Sequence, residues 1–382
     1  MIIGREIKTD KEIEIDIDRS RVILITGKRG SGKSYTLGVI TEELFTSVPS
    51  SQSKILILLI DPLGIFWTFC LSNEDKEASL PVLILTPGNP IARYGRDVVE
   101  RKMELGVELR PIRINPSSIS PSGWCDLFDL SINEPLGIAL FRAVQNLTRE
   151  YPFFSIDDMI EAVTEDHRAQ DKTKEALINR LEMAKGWDIF STSHEELQDK
   201  LSSDHINVLD LSTLDPGSYG LANLILSVIC RELFVKRVKA KHKENLGLAH
   251  QREKIWLLID EAQRFAPSGR STFSKEILIS WVKEGRQPGL SAVFTTQQPS
   301  SLDNDILSQC DLIICHRLSN KEDITALNRL SQDYLTSELK TYIRLVRNQG
   351  EALVLDDLSE KLSIVRVKRR KTLHGGDENL WL

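Results

Sequence analysis

The chain has 382 residues, of which 41% are apolar and 27% charged; 49 Lys and Arg stand against 55 Asp and Glu, a net charge of −6. That composition suits a soluble protein with a large core and excludes a wholly disordered or collagen-like chain. The mildly acidic balance excludes a protein basic all over, so any nucleic-acid contact must be concentrated in a patch or channel.

In chain order, Ile13, Ile15 and Ile17 alternate with Glu12, Glu14, Asp16 and Asp18, the period-two pattern of a strand with one wet face. Short, nearly continuous Ile/Val/Leu runs follow at Val22–Ile25, Ile55–Ile60, Val82–Leu85, Ile206–Leu211, Ile255–Ile259, Leu290–Phe294, Leu312–Cys315 and Ala352–Leu355. Strands buried on both faces read this way, and they belong to parallel sheets covered by helices. The fold class expected is therefore α/β. Between a strand near Pro111–Ile114 and the run at 206–211 the pattern changes to helices around Leu136–Arg149, Ser155–Asp166 and Thr173–Lys185. This predicts a core of residues 1–115 and 205–382 interrupted by a helical insertion at 116–204. After Tyr219, Leu221, Leu224, Ile225, Val228 and Ile229 recur at the spacing of an amphipathic helix. Polar stretches at Ser47–Ser53 and Ser191–Ser203 read as loops.

Cysteines at 70, 125, 230, 310 and 315 form no C-x-x-C pair. Reduced thiols in a cytoplasmic protein are expected, not a disulfide frame or zinc site. The N-terminus has no apolar segment of the secretory kind, and no apolar run approaches the length of a membrane span.

The run Gly27-Lys28-Arg29-Gly30-Ser31-Gly32-Lys33-Ser34 fits G-x-x-x-x-G-K-[ST], with a strand pattern before it and a helical one after it. Glycines let backbone N–H groups converge on phosphate oxygens, and the helix N-terminus adds partial positive charge. Lys33 should reach the β- and γ-phosphates, and Ser34 should place its hydroxyl on Mg²⁺. The ATP-holding set expected is 27–34 with the following Tyr35. The run Ile255–Ile259 ends in Asp260-Glu261. Asp260 is the candidate Mg²⁺ holder and Glu261 the candidate general base. Glu directly after Asp favours nucleotide hydrolysis over small-molecule phosphoryl transfer, because a kinase must exclude water. Gln297, after the run Leu290–Thr296, reads from periodicity alone as a surface amide at a strand end.

Taken together, the sequence resembles the HerA/FtsK superfamily of DNA-translocating ATPases, and its HerA branch most closely. The resemblance is carried by the phosphate loop, Ile60-Asp61-Pro62-Leu63-Gly64, Leu258-Ile259-Asp260-Glu261-Ala262, and Lys283-Glu284-Gly285-Arg286-Gln287-Pro288-Gly289 leading into Thr296-Gln297-Gln298-Pro299-Ser300. Asp305–Cys310 and His374-Gly375-Gly376 extend it. It implies a RecA-like fold, a homo-oligomeric ring that is expected to be a hexamer, ATP between subunits, and duplex DNA in a central channel. It implies that Gln297 senses the γ-phosphate and that Arg286 acts on the neighbouring subunit's nucleotide as an arginine finger. Arg21 matches a basic position of the family, which implies contact with phosphate or an adjacent subunit. Asp61 either orients Lys33 or the lytic water, or caps its turn. Family members often show D-P-H-G-E where this chain has Asp61-Pro62-Leu63-Gly64-Ile65. The stretch before Val22 is too short for the β-barrel of HerA proper, on which partnership with a NurA-type nuclease partly relies.

Two basic clusters remain: Lys236, Arg237, Lys239, Lys241 and Lys243 at a helix end, and Lys361, Arg366, Lys368, Arg369, Arg370 and Lys371 near the C-terminus. The first serves either the helix dipole or DNA; the second either lines a channel or braces a neighbouring subunit. Contacts of this kind bind phosphates without reading bases. The alternative to a translocase is a nucleotide-dependent assembly or switch module acting on a partner nuclease or defence effector. No L-S-G-G-Q-like stretch supports an ABC-type ATPase.

Overall fold

The computed structural model describes residues 1–47, 53–73, 79–192, 196–215, 220–248, 252–330 and 339–376. Its strands are β1 (Ile2–Glu6), β2 (Glu12–Glu14), β3 (Val22–Thr26), β4 (Ser53–Asp61), β5 (Val82–Pro87), β6 (Val107–Ile112), β7 (Ile206–Asp210), β8 (Arg252–Ile259), β9 (Leu290–Thr296), β10 (Leu312–Cys315), β11 (Glu351–Asp356) and β12 (Lys361–Val367). They form one sheet in the order β2-β1-β12-β11-β10-β3-β9-β8-β4-β7-β5-β6. From β10 to β6 every pairing is parallel, and from β10 to β2 every pairing is antiparallel. This is the RecA-like α/β architecture, with an antiparallel extension on one edge.

The period-two pleat divides each central strand between two cores. Ile23, Ile25, Ile57, Leu59, Trp256 and Leu258 face one side, where helix α1 (Lys33–Thr46) packs through Leu37, Ile40 and Leu44. Leu24, Leu58, Ile60, Leu257 and Ile259 face the other, against the helices Pro135–Glu150 and Asp171–Lys185 and the long helix Leu221–Asn245. Burial on both faces is why these strands read as unbroken apolar runs.

Among the described residues no strand lies between β6 and β7, and residues 116–192 are mostly helical. The segment has no core of its own: Trp124, Leu140 and Leu177 share one cluster with the sheet residues. The helix Ile156–Thr164 begins where a capping box predicts, with Ser155 Oγ and the Asp158 carboxylate exchanging bonds with each other's backbone N–H. The stretch at 191–203 includes a short 3₁₀ helix at Leu197–Lys200, while 193–195 lie outside the described residues, as do 48–52 of the expected loop and Tyr219 before the long helix.

Three boundaries differ from the sequence pattern. The alternating stretch at 10–19 pairs only over Glu12–Glu14, although its acids are exposed and Ile15 is buried as the alternation requires. The strand expected near 111–114 is β6, which ends at Ile112 and carries Pro111; Pro lacks an N–H to donate and is tolerated because β6 is an edge strand. Strands β1 and β12 pair with each other. Their apolar runs are too short and too mixed with charge to stand out.

Candidate nucleotide-binding and hydrolysis site

The strands β3, β9, β8 and β4 are neighbours in that order, and all are parallel. Their C-terminal ends therefore bring residues 27–34, Gln297, Asp260-Glu261 and Asp61 to one rim of the sheet. In the phosphate loop Gly27, Gly30 and Gly32 have φ of 154°, 71° and 108°. Side chains rarely adopt such angles, and a Cβ on Gly27 would also lie 2.5 Å from Ser31 Oγ and 2.7 Å from His316 Cβ. Ser31 Oγ is buried without a hydrogen-bond partner among the described residues, an orphan polar atom inside the cradle. Lys28 and Arg29 are exposed on its outer curve. Lys33 is buried, and its Nζ donates to the Lys28 carbonyl at 3.2 Å. Burial lowers its pKa, while Glu261 and Asp260 act to keep it charged.

The acidic pair meets the cradle directly. Ser34 Oγ donates to Asp260 Oδ2 at 3.0 Å. Thr295 Oγ1 donates to Asp260 Oδ1 and accepts from the Glu261 N–H at 3.1 Å. Burial raises the Asp260 pKa, opposed by the hydroxyl bonds from Thr295 and Ser34 and by the Lys33 charge. Glu261 stands in the left-handed region with φ 51° and ψ 50°, a conformation costing a non-glycine residue on the order of 1 kcal/mol and concentrated at functional sites. The turn aims its carboxylate back over the rim. There Gln263 Nε2 donates to Oε2 at 2.6 Å, and Gln297 Nε2 donates to Oε1. The pattern-based reading of Gln297 as a surface amide is overturned: it lies half-buried on the candidate base.

Two candidates are corrected. Asp61 does not touch Lys33. Its Oδ1 accepts from the N–H groups of Leu63 and Gly64 at 3.1 and 2.8 Å, and its Oδ2 accepts from Phe66 N–H at 2.8 Å. Strand β4 adjoins β8, not β3, and the carboxyl is consumed as the cap of its own turn; burial, then the neighbouring Asp210, pushes its pKa up to about 7. Arg21 precedes β3, so it lies on the opposite rim from the cradle. It is buried, with Nη1 3.4 Å from Asp311 and 3.3 Å from Asp356 and Nε donating to the Asp16 carbonyl. These bonds hold the guanidinium inside its own chain, away from any phosphate.

Arg286 shares that opposite rim. It sits in the turn before β9, with its carbonyl accepting from Ser20 Oγ at 3.2 Å, and its side chain is exposed. The seven residues of β9 separate it from Gln297 by roughly 20 Å, so it cannot act on the nucleotide of its own chain.

His316, Thr295 and Gln263 escaped the sequence analysis. His316 follows β10 and is fully buried beneath the phosphate loop. Its Nδ1 lies 2.8 Å from the Glu351 carbonyl, so that nitrogen carries the proton, and Nε2 accepts from Thr36 Oγ1 at 2.9 Å. Burial holds its pKa down at about 4, in keeping with the neutral ring. No motif marks such a residue; only the parallel pairing of β10 with β3 puts it there.

The basic clusters divide. Arg237 is spent on Glu244 at 2.8 Å, while Lys236, Lys239 and Lys243 line a cleft along the same helix. In the second cluster Lys368 pairs with Glu43 at 2.5 Å and Arg370 with Glu42 at 3.1 Å. That part of the cluster braces α1 of its own chain, a role the sequence reading did not include.

Residues 2–233 match the sequence profile of the family described as the central domain of the helicase HerA. The chain belongs to that family. Residues 230–357 also match the zonular occludens toxin family. Similar curated proteins include a probable helicase of Methanocaldococcus jannaschii, 23% identical over 97% of this chain and 67% of its own length. The DNA double-strand break repair helicase HerA of Sulfurisphaera tokodaii is 24% identical over 99% of this chain and 71% of its own length. Among solved structures, VirB4 of Thermoanaerobacter pseudethanolicus aligns with a TM-score of 0.61 at 15% identity, covering 97% of this chain and 96% of that one. The bacterial conjugative coupling protein TrwB aligns with a TM-score of 0.53 at 12% identity, covering 98% and 90%. At these identities the structures speak for the P-loop ATPase fold alone.

The HerA-family site also suits a nucleotide-bound metal. Among the described residues no cluster of three or more His, Cys, Asp or Glu side chains could hold an ion unaided. One hydroxyl and one carboxylate 3.0 Å apart, Ser34 and Asp260, form the donor set that Mg²⁺ uses when phosphates supply its other ligands. No described helix is long and apolar enough to cross a membrane.

Proposed function

We propose that this HerA-family chain is an ATP-hydrolysing, ring-forming translocase or helicase that acts on duplex DNA in DNA processing or repair. The observation that carries the reading is the joining of three distant stretches at one rim: Ser34 on Asp260, and Gln297 on Glu261. Lys33 and the backbone N–H groups of 29, 30 and 32–34 would hold the triphosphate, with Ser34 and Asp260 holding Mg²⁺. Bound there, Mg²⁺ would offset charge on the β- and γ-phosphates. Glu261 would take the proton of the attacking water, and Gln297, bonded to that carboxylate, would couple the base to the γ-phosphate.

The exposed Arg286 on the far rim supports an assembly in which one subunit completes its neighbour's site, since charge developing at a loose phosphoryl transition state needs a cation there. DNA contact through Lys236, Lys239 and Lys243 would be indifferent to sequence and steeply salt-dependent. The HerA relatives are described as DNA double-strand break repair helicases, which supports the choice of substrate. ATP turnover measured with no DNA, single-stranded DNA and duplex DNA, beside the mass of the assembly, tests the reading. Duplex-stimulated turnover by a ring is expected; turnover indifferent to DNA and to assembly would favour the switch-module alternative.

A further inference from the structure

After β12 the chain crosses the outer face of α1 as a strap. Glu42, in the third turn of that helix, is buried, and its carboxylate accepts from Arg370 Nε at 3.1 Å, Lys371 N–H at 2.8 Å, Thr372 N–H at 3.2 Å and Thr372 Oγ1 at 2.5 Å. The Arg370 guanidinium lies flat over Gly38, where any Cβ would come within 2.6 Å of it. This clamp carries the strap to the first turn of α1. There Arg370 N–H donates to Tyr35 Oη at 2.8 Å, Arg370 Nη1 lies 3.2 Å from His374 Nδ1, and the two rings meet edge to face at 5.7 Å. Two glycines finish the strap. A Cβ on Gly375 would lie 2.1 Å from the Ile65 carbonyl, and one on Gly376 would lie 2.9 Å from His374 Nε2. Both rings are half-buried, above a fully buried polar clamp.

The placement has a chemical consequence. Asp260, Glu261 and Gln297 gather on the β8–β9 side of the cradle, which is where a γ-phosphate belongs. His316 fills the space beneath the loop, and Lys28 N–H is tied to the Arg317 carbonyl at 3.0 Å. A triphosphate bound with its γ-phosphate there would extend its nucleoside past Ser34 and Tyr35, at the start of α1. We infer that Tyr35 and His374 form a seat for the base of the nucleotide, held rigid by the Glu42–Arg370 clamp. The inference rests on reading 27–34 as the phosphate cradle. An aromatic seat takes the π-face that every base presents, so it adds affinity for the nucleoside and none for phosphate.

Calorimetry with Mg²⁺ and either ATP or inorganic triphosphate separates the two parts. Wild type should bind both ligands, and Lys33→Ala should weaken both. His374→Ala should weaken ATP by roughly tenfold, the scale of one lost base–aromatic contact, and leave inorganic triphosphate unchanged; that unchanged binding also reports an intact cradle. His374→Phe should recover most of the ATP loss. Equal losses on the two ligands, or no loss on either, would overturn the seat and leave the pair as a prop for α1. Failure of wild type to bind inorganic triphosphate as well as ATP would overturn the cradle, and with it both this inference and the proposed function.

Discussion

At the C-terminal rim of the parallel strands, Ser34, Asp260, Glu261 and Gln297 are joined by hydrogen bonds, and the buried Lys33 lies within their electrostatic reach. At the N-terminal rim two arginines share a neighbourhood and differ completely: Arg21 is buried between Asp311 and Asp356, whereas Arg286 stands in solvent a few residues before β9. The first rim gathers the groups that the proposed function uses to bind a triphosphate and deprotonate water. Among the described residues, Lys33 is the buried cation of that rim. The second rim offers an exposed cation, Arg286, whose side chain makes no hydrogen bond or ion pair among the described residues. Burial thus distinguishes the arginine that holds the fold from the one left at the surface, and the proposed function assigns the second to a neighbouring subunit's site.

Substitutions at the two rims sharpen that contrast. Lys33→Ala should have the largest effect, loss of measurable ATP turnover with weakened binding. Glu261→Gln should retain ATP binding and lower turnover by ~10³-fold, the scale of a positioned general base; near-normal turnover would show that another group takes the proton. Arg286→Ala should lower turnover by ~10²-fold in assembled protein, as for removal of one transition-state donor. Mixed with wild type, it should depress activity along a curve, and a straight dilution line would break the idea of a shared site.

Arg21→Met should cost ~3 kcal/mol of stability by stranding Asp311 and Asp356, read as a lower Tm, with the ATP dissociation constant unmoved. A shifted ATP affinity would return Arg21 to the nucleotide site. The smallest effect concerns acid. Because the folded pKa of His316 lies near 4, below its ordinary value near 6.5, the neutral ring stabilises the fold fully above pH 6.5, and that contribution fades as pH falls toward 4. The Tm difference between wild type and His316→Gln should therefore shrink over that interval, by up to about 3 kcal/mol in stability. A gap that widens on acidification would place the charged ring in the native state.

Much of the central sheet was legible because its strands are buried on both faces and so carry unbroken apolar runs, from Val22–Ile25 to Ala352–Leu355. The edge was not: β1 and β12 hold alternating or charged residues, and their pairing closes across the whole length of the chain. The basic run at 361–371 shows the same limit. Composition marks it as positive, but whether a cation faces solvent or a buried Glu42 depends on where α1 lies. For Asp61 the sequence left two roles open, orienting Lys33 or the water and capping its turn; the hydrogen bonds from the N–H groups of Leu63, Gly64 and Phe66 settle on the cap.

What this sequence determined unaided is everything encoded within a few consecutive residues. The glycines at 27, 30 and 32 dictate a tight turn, Lys33 and Ser34 follow them into a helix, and Asp260-Glu261 end an apolar strand. Such features depend on φ, ψ and local hydrogen bonds, which neighbours along the chain settle. The tertiary structure alone decided that Asp260 lies 3.0 Å from Ser34, that His316 props the loop from below, that Arg21 is consumed, and that the strap at 368–376 reaches Tyr35. Those contacts join residues far apart in the chain, and they exist because the strands pair in parallel and each end of the sheet gathers side chains from distant stretches.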